Sequence, residues 1–213
     1  MMSDNVIDAD NQQGSSLLHI FGSDNPSETT RRAPFTKQEA KGYLQGALHD
    51  AYQASGKRIR FSQKYKEWLY ILSFILKDLG YKSWIYREGK RNVYVLETTA
   101  EFLDFNFNPS KESPREQKGY IRGFFDAEGG VPHKKSNRFY IQFVQKDQPK
   151  LIRIAKILSN LGIESGKIHN PSKAIDPEYW RFYIRANSYK GFCKTINSWH
   201  PVKNKILKER VKI

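Results

Sequence analysis

The 213-residue sequence contains a single cysteine, Cys193. A disulfide framework within the chain and a cysteine-rich zinc site are therefore both excluded, and a reducing, intracellular setting is expected. No apolar run approaches the roughly 18 residues that a membrane span needs, so no membrane partner is expected. No basic segment followed by an apolar core opens the chain, which argues against a signal peptide. His19, His133, His169 and His200 are scattered without metal-ligand spacing, and His49 is assigned a packing role. Nothing resembles a phosphate-binding glycine loop or a Ser/His/Asp arrangement.

Acidic residues are scarce, 22 against 36 lysines and arginines, giving a net charge of +14. A charge of that size concerns partners and fits a polyanion, nucleic acid first. Residues 1–35 run against the trend, with five acids and two bases. The rest carries 34 bases against 17 acids, net +17. The first 35 residues read as a flexible leader rich in Ser, Asn, Asp and Gln. Apolar residues make up 38% of the chain, enough for a packed core.

From Thr36 the text becomes regular and then repeats. Thr36-Lys37-Gln38-Glu39 and Ser113-Pro114-Arg115-Glu116 both have the form of capping boxes at helix starts. Gly42-Tyr43-Leu44-Gln45-Gly46 returns as Gly119-Tyr120-Ile121-Arg122-Gly123, offset by 77. Gln63-Lys64 returns as Gln145-Lys146 and Leu79-Gly80 as Leu161-Gly162, offset by 82. The five extra residues are placed in the loop 132–136. In copy one, a helix to about Ala51, an alternating strand over 57–63, a helix over 66–79, strands over 82–86 and 92–97 and a short helix over 99–105 are expected. In copy two, 138–145 is the alternating strand, 179–185 the last strand and 187–198 the last helix. Two repeats, 36–106 and 113–213 with a basic C-terminal tail, follow a leader at 1–35 and flank a linker at 107–112.

Glycines four apart on the first helix of each copy form a flat stripe. Each costs about 1 kcal/mol in a helix interior. Two readings account for them: packing against a strand of the same copy, or packing of the two helices on each other at a pseudo-two-fold axis. Acids stand at the helix ends, Asp50 in copy one and Asp126 and Glu128 in copy two. Side by side, such helices would present carboxylates near one axis, and hard oxygen ligands suit Mg²⁺. Solvated surface acids are the alternative.

The segment Ile121-Arg122-Gly123-Phe124-Phe125-Asp126-Ala127-Glu128-Gly129 resembles the LAGLIDADG signature, and Leu44-Gln45-Gly46-Ala47-Leu48-His49-Asp50-Ala51 resembles a degenerate first copy. The resemblance covers 36–213 and implies a single-chain, two-motif homing endonuclease of the intron-encoded type, from an archaeal source. The implied fold class is α+β, two pseudo-symmetric αββαββα repeats packed through paired motif helices, each with a four-stranded antiparallel saddle sheet. The implied activity is metal-dependent hydrolysis of both strands of a long pseudo-palindromic duplex, with Mg²⁺ or Mn²⁺ as cofactor. The resemblance implies a monomer in the cytoplasm, associated with the nucleoid. Its alternative is an RNA maturase, binding structured intron RNA without cleavage.

Carried over from the resemblance, Glu128 is the catalytic acid of copy two. Strict alignment puts Ala51 opposite it, and an early end to the first helix would present Asp50 instead. Asp126 is expected to be a structural cap. Gln63 and Gln145 are expected either to hold a water at the metals or to cap the following helices. Lys64 and Lys146 adjoin them without an assigned role. The outward faces of the strands are expected to read the major groove through Arg58, Arg60, Ser62, Asn92, Tyr94, Arg138, Tyr140, Gln142, Arg181, Tyr183 and Arg185. Val144 shares that outward face. Lys134 and Lys135, with Lys203, Lys205, Lys208, Arg210 and Lys212, are expected on phosphates.

Overall fold

A computed structural model describes residues 35–212. The flexible leader expected at 1–35 lies, Phe35 apart, outside the described residues. Helix α1 (Lys37–Ala47) starts at Thr36, whose hydroxyl accepts from the Glu39 amide at 3.2 Å. The Glu39 side chain is taken up elsewhere, by Arg122, so only half of the expected capping box forms. A tight 3-10 turn, Leu48–Asp50, leads from α1 into β1 (Ala51–Gln53). There follow β2 (Ile59–Gln63), α2 (Glu67–Asp78), β3 (Ser83–Arg87) and β4 (Tyr94–Thr98). They make a four-stranded antiparallel sheet in the order β1-β2-β4-β3. The short helix expected over 99–105 is absent; that segment forms turns.

Copy two begins with α3 (Pro114–Glu128), where Ser113 and Glu116 complete a capping box and Pro114 takes the first turn. Proline's missing amide costs nothing there. Then come β5 (Gly129–Gly130), β6 (Gln142–Gln145), α4 (Gln148–Asn160), β7 (Trp180–Tyr183), α5 (Tyr189–Thr195) and α6 (Pro201–Val211). The expected fourth strand of this sheet is irregular. Residues 164–169 run beside β7 through two isolated bridges, Ser165 with Ile184 and His169 with Arg181. Four steps on one side face three on the other, so one extra residue interrupts the ladder as a bulge does.

Both α2 and α4 end in the same way. Gly80 and Gly162 take positive φ, 88° and 74°. Tyr81 N donates to Leu76 O and Ile163 N to Leu158 O, at 2.8 and 2.9 Å. The left-handed residue needs no Cβ, and the bond pair closes the last turn. Each copy then lays its second helix on its sheet. Phe61, Leu69, Leu72, Ile75 and Leu96 are fully buried in copy one; Phe143, Leu151, Leu158, Phe182 and Phe192 in copy two. Burying each such side chain contributes about 1.5–3 kcal/mol.

The copies meet through α1 and α3. A Cβ at Gly42 would strike Glu116 O, and one at Gly119 would strike Glu39 O; Gly46 and Gly123 stand likewise against Tyr120 O and Tyr43 O. Each contact has its mirror 77 residues away. The glycine stripe therefore serves helix-on-helix packing, and larger residues would separate the copies.

Candidate catalytic centre and groove-facing sheets

The strand registers decide which residues of the two copies correspond. Ala51 pairs with Phe61 in copy one, and Gly129 pairs with Phe143 in copy two. Phe61 and Phe143 are offset by 82, whereas Ala51 and Gly129 are offset by 78. So Asp50 and Glu128, each one residue before its strand, hold matching places. The five extra residues are split, one at the helix end and four in the following loop, which corrects their assignment to the loop alone. The backbone explains the split. Three 3-10 residues rise about 6 Å, as four α-helical residues do. From Ala47 to Asp50 is three residues, and from its counterpart Phe124 to Glu128 is four.

Asp50 and Glu128 lie close enough to interact. Asp50 is pushed up to about 6, first by burial and then by the Glu128 charge, against the opposing influence of Lys203 and of a hydrogen bond from Gln63. Burial also raises Glu128, with Lys203 and Lys150 opposing. Gln63 Nε2 donates to Asp50 Oδ2. Gln145 does not repeat this bond. Its amide lies 3.4 Å from His49 Nδ1, and its Oε1 accepts from the Lys146 amide at 2.8 Å. His49 sits edge-on to Phe124, with Nε2 2.9 Å from the Tyr120 hydroxyl. Burial lowers it to about 4, so it stays neutral in a packing role.

Lys203 was expected on phosphates. Instead, its Nζ turns inward from α6 and donates to Phe125 O and Asp126 O at 2.8 and 2.7 Å. It thus satisfies two carbonyls at the end of α3 and offsets the helix dipole. Burial lowers it to about 8, while Asp126, Asp50 and Glu128 hold it up. Sequence reading put this cation on phosphates because a lysine in a basic tail carries no local signal of its direction. Arg210 is corrected for the same reason. Its guanidinium donates to Lys135 O and Asn137 O at 3.0 and 2.9 Å, bracing a loop. Lys135 in turn pairs with Glu209 at 3.0 Å, and Lys134 is exposed.

Asp126 lies wholly inside. It accepts from Tyr43 OH at 2.7 Å, from Trp199 N at 2.9 Å, from His200 N at 3.0 Å and from Ser198 Oγ. Burial raises it, and Lys203 with these donors opposes. Trp68 donates to Tyr43 OH at 2.8 Å, so the network spans both copies. The residue anchors the entry to α6, in keeping with a cap.

Two carboxylates are what the chain itself brings to this point. Among the described residues no group of three or more His, Cys, Asp and Glu could hold a metal. Mg²⁺ suits such a pair, because it is commonly held by one or two carboxylates with water and phosphate oxygens completing its shell.

On the sheets, Ile59 and Phe61 face the helices, and Arg58, Arg60 and Ser62 face away. Arg58 Nη1 and Arg60 Nε bind the two oxygens of Glu97 at 3.0 and 2.7 Å. Burial would raise Glu97, but the bonds from Arg58 and Arg60 outweigh it and hold the carboxyl below its usual range. Tyr94 is corrected. It pairs with Gln63, so it shares the helix-facing side with Phe61 and Leu96. The outward positions of β4 are Val95 and Glu97, one residue out of step with the expectation, and in a strand one residue changes the face. Asn92 stands exposed in the turn before β4. Trp84 and Tyr86 of β3 face outward and are 50% and 39% exposed. Their alternation about Ile85 was the overlooked signal.

In copy two Gln142 and Val144 pair with Tyr183 and Arg181 on the outward face. Tyr140 meets Tyr183 edge-on, and the Arg181 guanidinium lies over the Tyr183 ring at 5.2 Å. Arg185 and Arg138 are exposed, Arg185 donating to Ser165 O at 3.3 Å.

Residues 115–197 match the family model described as a LAGLIDADG-like domain. The fold of the chain is shared with I-DmoI in complex with DNA and Mn, at 20% identity and a TM-score of 0.58, over 76% of this chain and 97% of that one. I-DmoI with DNA and Ca gives a TM-score of 0.62 at 19% identity, over 82% and 99%. Full-length DUF199/WhiA from Thermatoga maritima gives 0.59 at 15% identity, over 93% and 66%. No curated protein matches the sequence. The mixed α+β architecture with paired motif helices is thus the LAGLIDADG homing endonuclease fold. No helix among the described residues is long and apolar enough to cross a membrane.

Proposed function

We propose that the chain is a monomeric, metal-dependent homing endonuclease that cuts both strands of a long, loosely palindromic DNA duplex and so promotes intron mobility. The observation that carries the reading is the matching register of Asp50 and Glu128 at the ends of two helices in backbone contact. The net charge of +14 supports a polyanionic partner. The I-DmoI structures contain DNA with Mn, Ca or Mg, which supports a divalent ion here too. WhiA shares the fold under another name, so the nuclease assignment stands on the carboxylates.

Asp50 and Glu128 are the residues that would hold Mg²⁺ or Mn²⁺, which when bound activates water and stabilises the attacking and leaving oxygens of a phosphodiester. Gln63 fixes the rotamer of Asp50 by donating to one of its oxygens. Lys203 keeps two carboxylates tolerable at close quarters. The outward sheet faces, with Arg58, Arg60, Arg138, Arg181 and Arg185, contact the groove, while Lys134 and the exposed tail lysines meet phosphates.

Binding to structured intron RNA is the second reading. It draws on the exposed aromatics Tyr52, Trp84 and Tyr86 of the copy-one sheet, since unpaired bases stack on such rings. Incubation with a randomised duplex library and Mg²⁺, with EDTA as control, separates the two. Double-strand breaks at one long sequence are expected. Absence of any cut, together with tighter binding to structured RNA than to duplex DNA, overturns the nuclease reading.

A further inference from the structure

Arg58, Arg60 and Glu97 form a built arrangement on the outward face of the copy-one sheet. Arg60 is in β2 and Arg58 just precedes it in extended backbone, so the two arginines point the same way, roughly 6.7 Å apart. Glu97 lies directly across from Arg60 in the ladder, is only 7% exposed, and gives one carboxylate oxygen to each arginine. Tyr86 OH adds a 3.2 Å bond to the same oxygen that Arg60 uses. The acid is too covered to meet a ligand itself. The arginines are not: their side chains are 47% and 30% exposed.

Arg58 spends Nη1 on the acid, and Arg60 spends Nε. Each keeps further N–H groups on the exposed part of a rigid plane. Arg60 also shares a side-chain hydrogen bond with Tyr52, and its terminal nitrogens, each with two N–H groups, keep donors for the O6 and N7 of guanine. The distance between the two arginines matches two base steps of about 3.4 Å along a strand.

The corresponding positions of copy two hold different chemistry. With the offset of 82 that aligns β2 with β6, Arg58 and Arg60 correspond to Tyr140 and Gln142, and Tyr183 takes the place of Glu97 across from Gln142. No carboxylate stands there, and the fitting base for Gln142 is adenine.

We propose that Glu97 is a positioning residue for sequence discrimination, aiming Arg58 and Arg60 at two guanines about two base pairs apart in one half-site only. This rests on the DNA-binding reading above. The target is therefore guanine-specific under β2 and adenine-preferring at the equivalent place under β6.

The test is selection of bound duplexes from a randomised library by the full-length protein and by Glu97→Gln, scored base by base in Ca²⁺. The wild-type chain is expected to show two guanines two steps apart in one half-site. Glu97→Gln should lower each guanine preference about tenfold and leave the other half-site unchanged, while total affinity holds or rises with the lost negative charge. An unchanged profile overturns the inference, and so does a stronger guanine preference, which would mean that Glu97 masks the arginines. Arg60→Lys, which keeps the ion pair but lacks the fork, provides the check should Glu97→Gln fold poorly; it should lose one guanine alone, and retention of both overturns the proposal. A wild-type chain that selects no duplex at all sinks the DNA-binding reading itself.

Discussion

In copy two the motif helix runs unbroken to Glu128, while in copy one it stops at Ala47 and hands over to a 3-10 turn ending at Asp50. The shorter helix nonetheless delivers its acid to the same place relative to its sheet, because the tighter turn rises further per residue. The surroundings differ. Asp50 receives a side-chain amide from Gln63, whereas Gln145 is drawn to His49. The buried acid Asp126 falls where copy one has His49 in strict sequence register. Symmetry is thus held where backbones touch, at the glycine stripe, and relaxed in the groups around the acids and on the outward faces. A duplicated scaffold tolerates a one-residue difference in helix length when a change of helix type restores the height.

Substitutions can break this comparison in order of size. Gly123→Val drives a side chain into Tyr43 O and should cost at least ~3 kcal/mol, more than ordinary overpacking because the obstacle is backbone. Gly46→Val should cost about as much in chemical denaturation. A large inequality between them would show that the helix pair is not symmetric in energy, and Gly191→Ala, with open space around it, should change little. Asp126→Asn leaves donors facing an amide nitrogen in a buried network and should cost about 2–4 kcal/mol. His49→Asn at the aligned position should cost less.

The smallest effect has the opposite sign. Asp50 titrates near 6 in the folded chain, above its ordinary value of 3.8. The folded state therefore binds that proton more tightly than the unfolded state, and ionising Asp50 costs stability above about pH 6. The cost shrinks as pH falls through 6 and is absent below about 4. In EDTA at pH 7.5, Asp50→Asn should stabilise the fold by about 1–2 kcal/mol, allowing for partial exposure of the group. The gain should vanish at pH 4. A destabilised variant at pH 7.5 would mean that Asp50 is favourably paired without metal.

Much of this was legible in residue order. Paired glycines, the Thr and Ser helix caps and the Leu-Gly helix ends repeat because backbone geometry demands them, and such demands leave marks in sequence. Three strands of copy one and the inward faces of β2 and β6 followed from alternation; β1, three residues long, is too short to alternate, and the fourth strand was implied by the family resemblance alone. What was not legible depended on distant partners or on single steps of register. Tyr94 was assigned to the wrong face because nothing local fixes the start of β4. Lys203 and Arg210 looked like tail cations because a lysine or arginine reads alike whether it meets water or a buried carbonyl. Glu97 escaped notice because its value lies in two arginines almost 40 residues away in sequence.

The central claim is that Asp50 and Glu128 are equivalent acids of one paired centre. Strand-resolved cleavage of the selected duplex by Asp50→Asn and Glu128→Gln in Mg²⁺ tests it most directly. Each variant should bind the duplex nearly as the parent does and lose double-strand cleavage by roughly a thousandfold, several kcal/mol of lost stabilisation of the reacting phosphate. If Asp50→Asn breaks both strands at the parental rate while Glu128→Gln does not, copy one lends no acid and the equivalence is wrong.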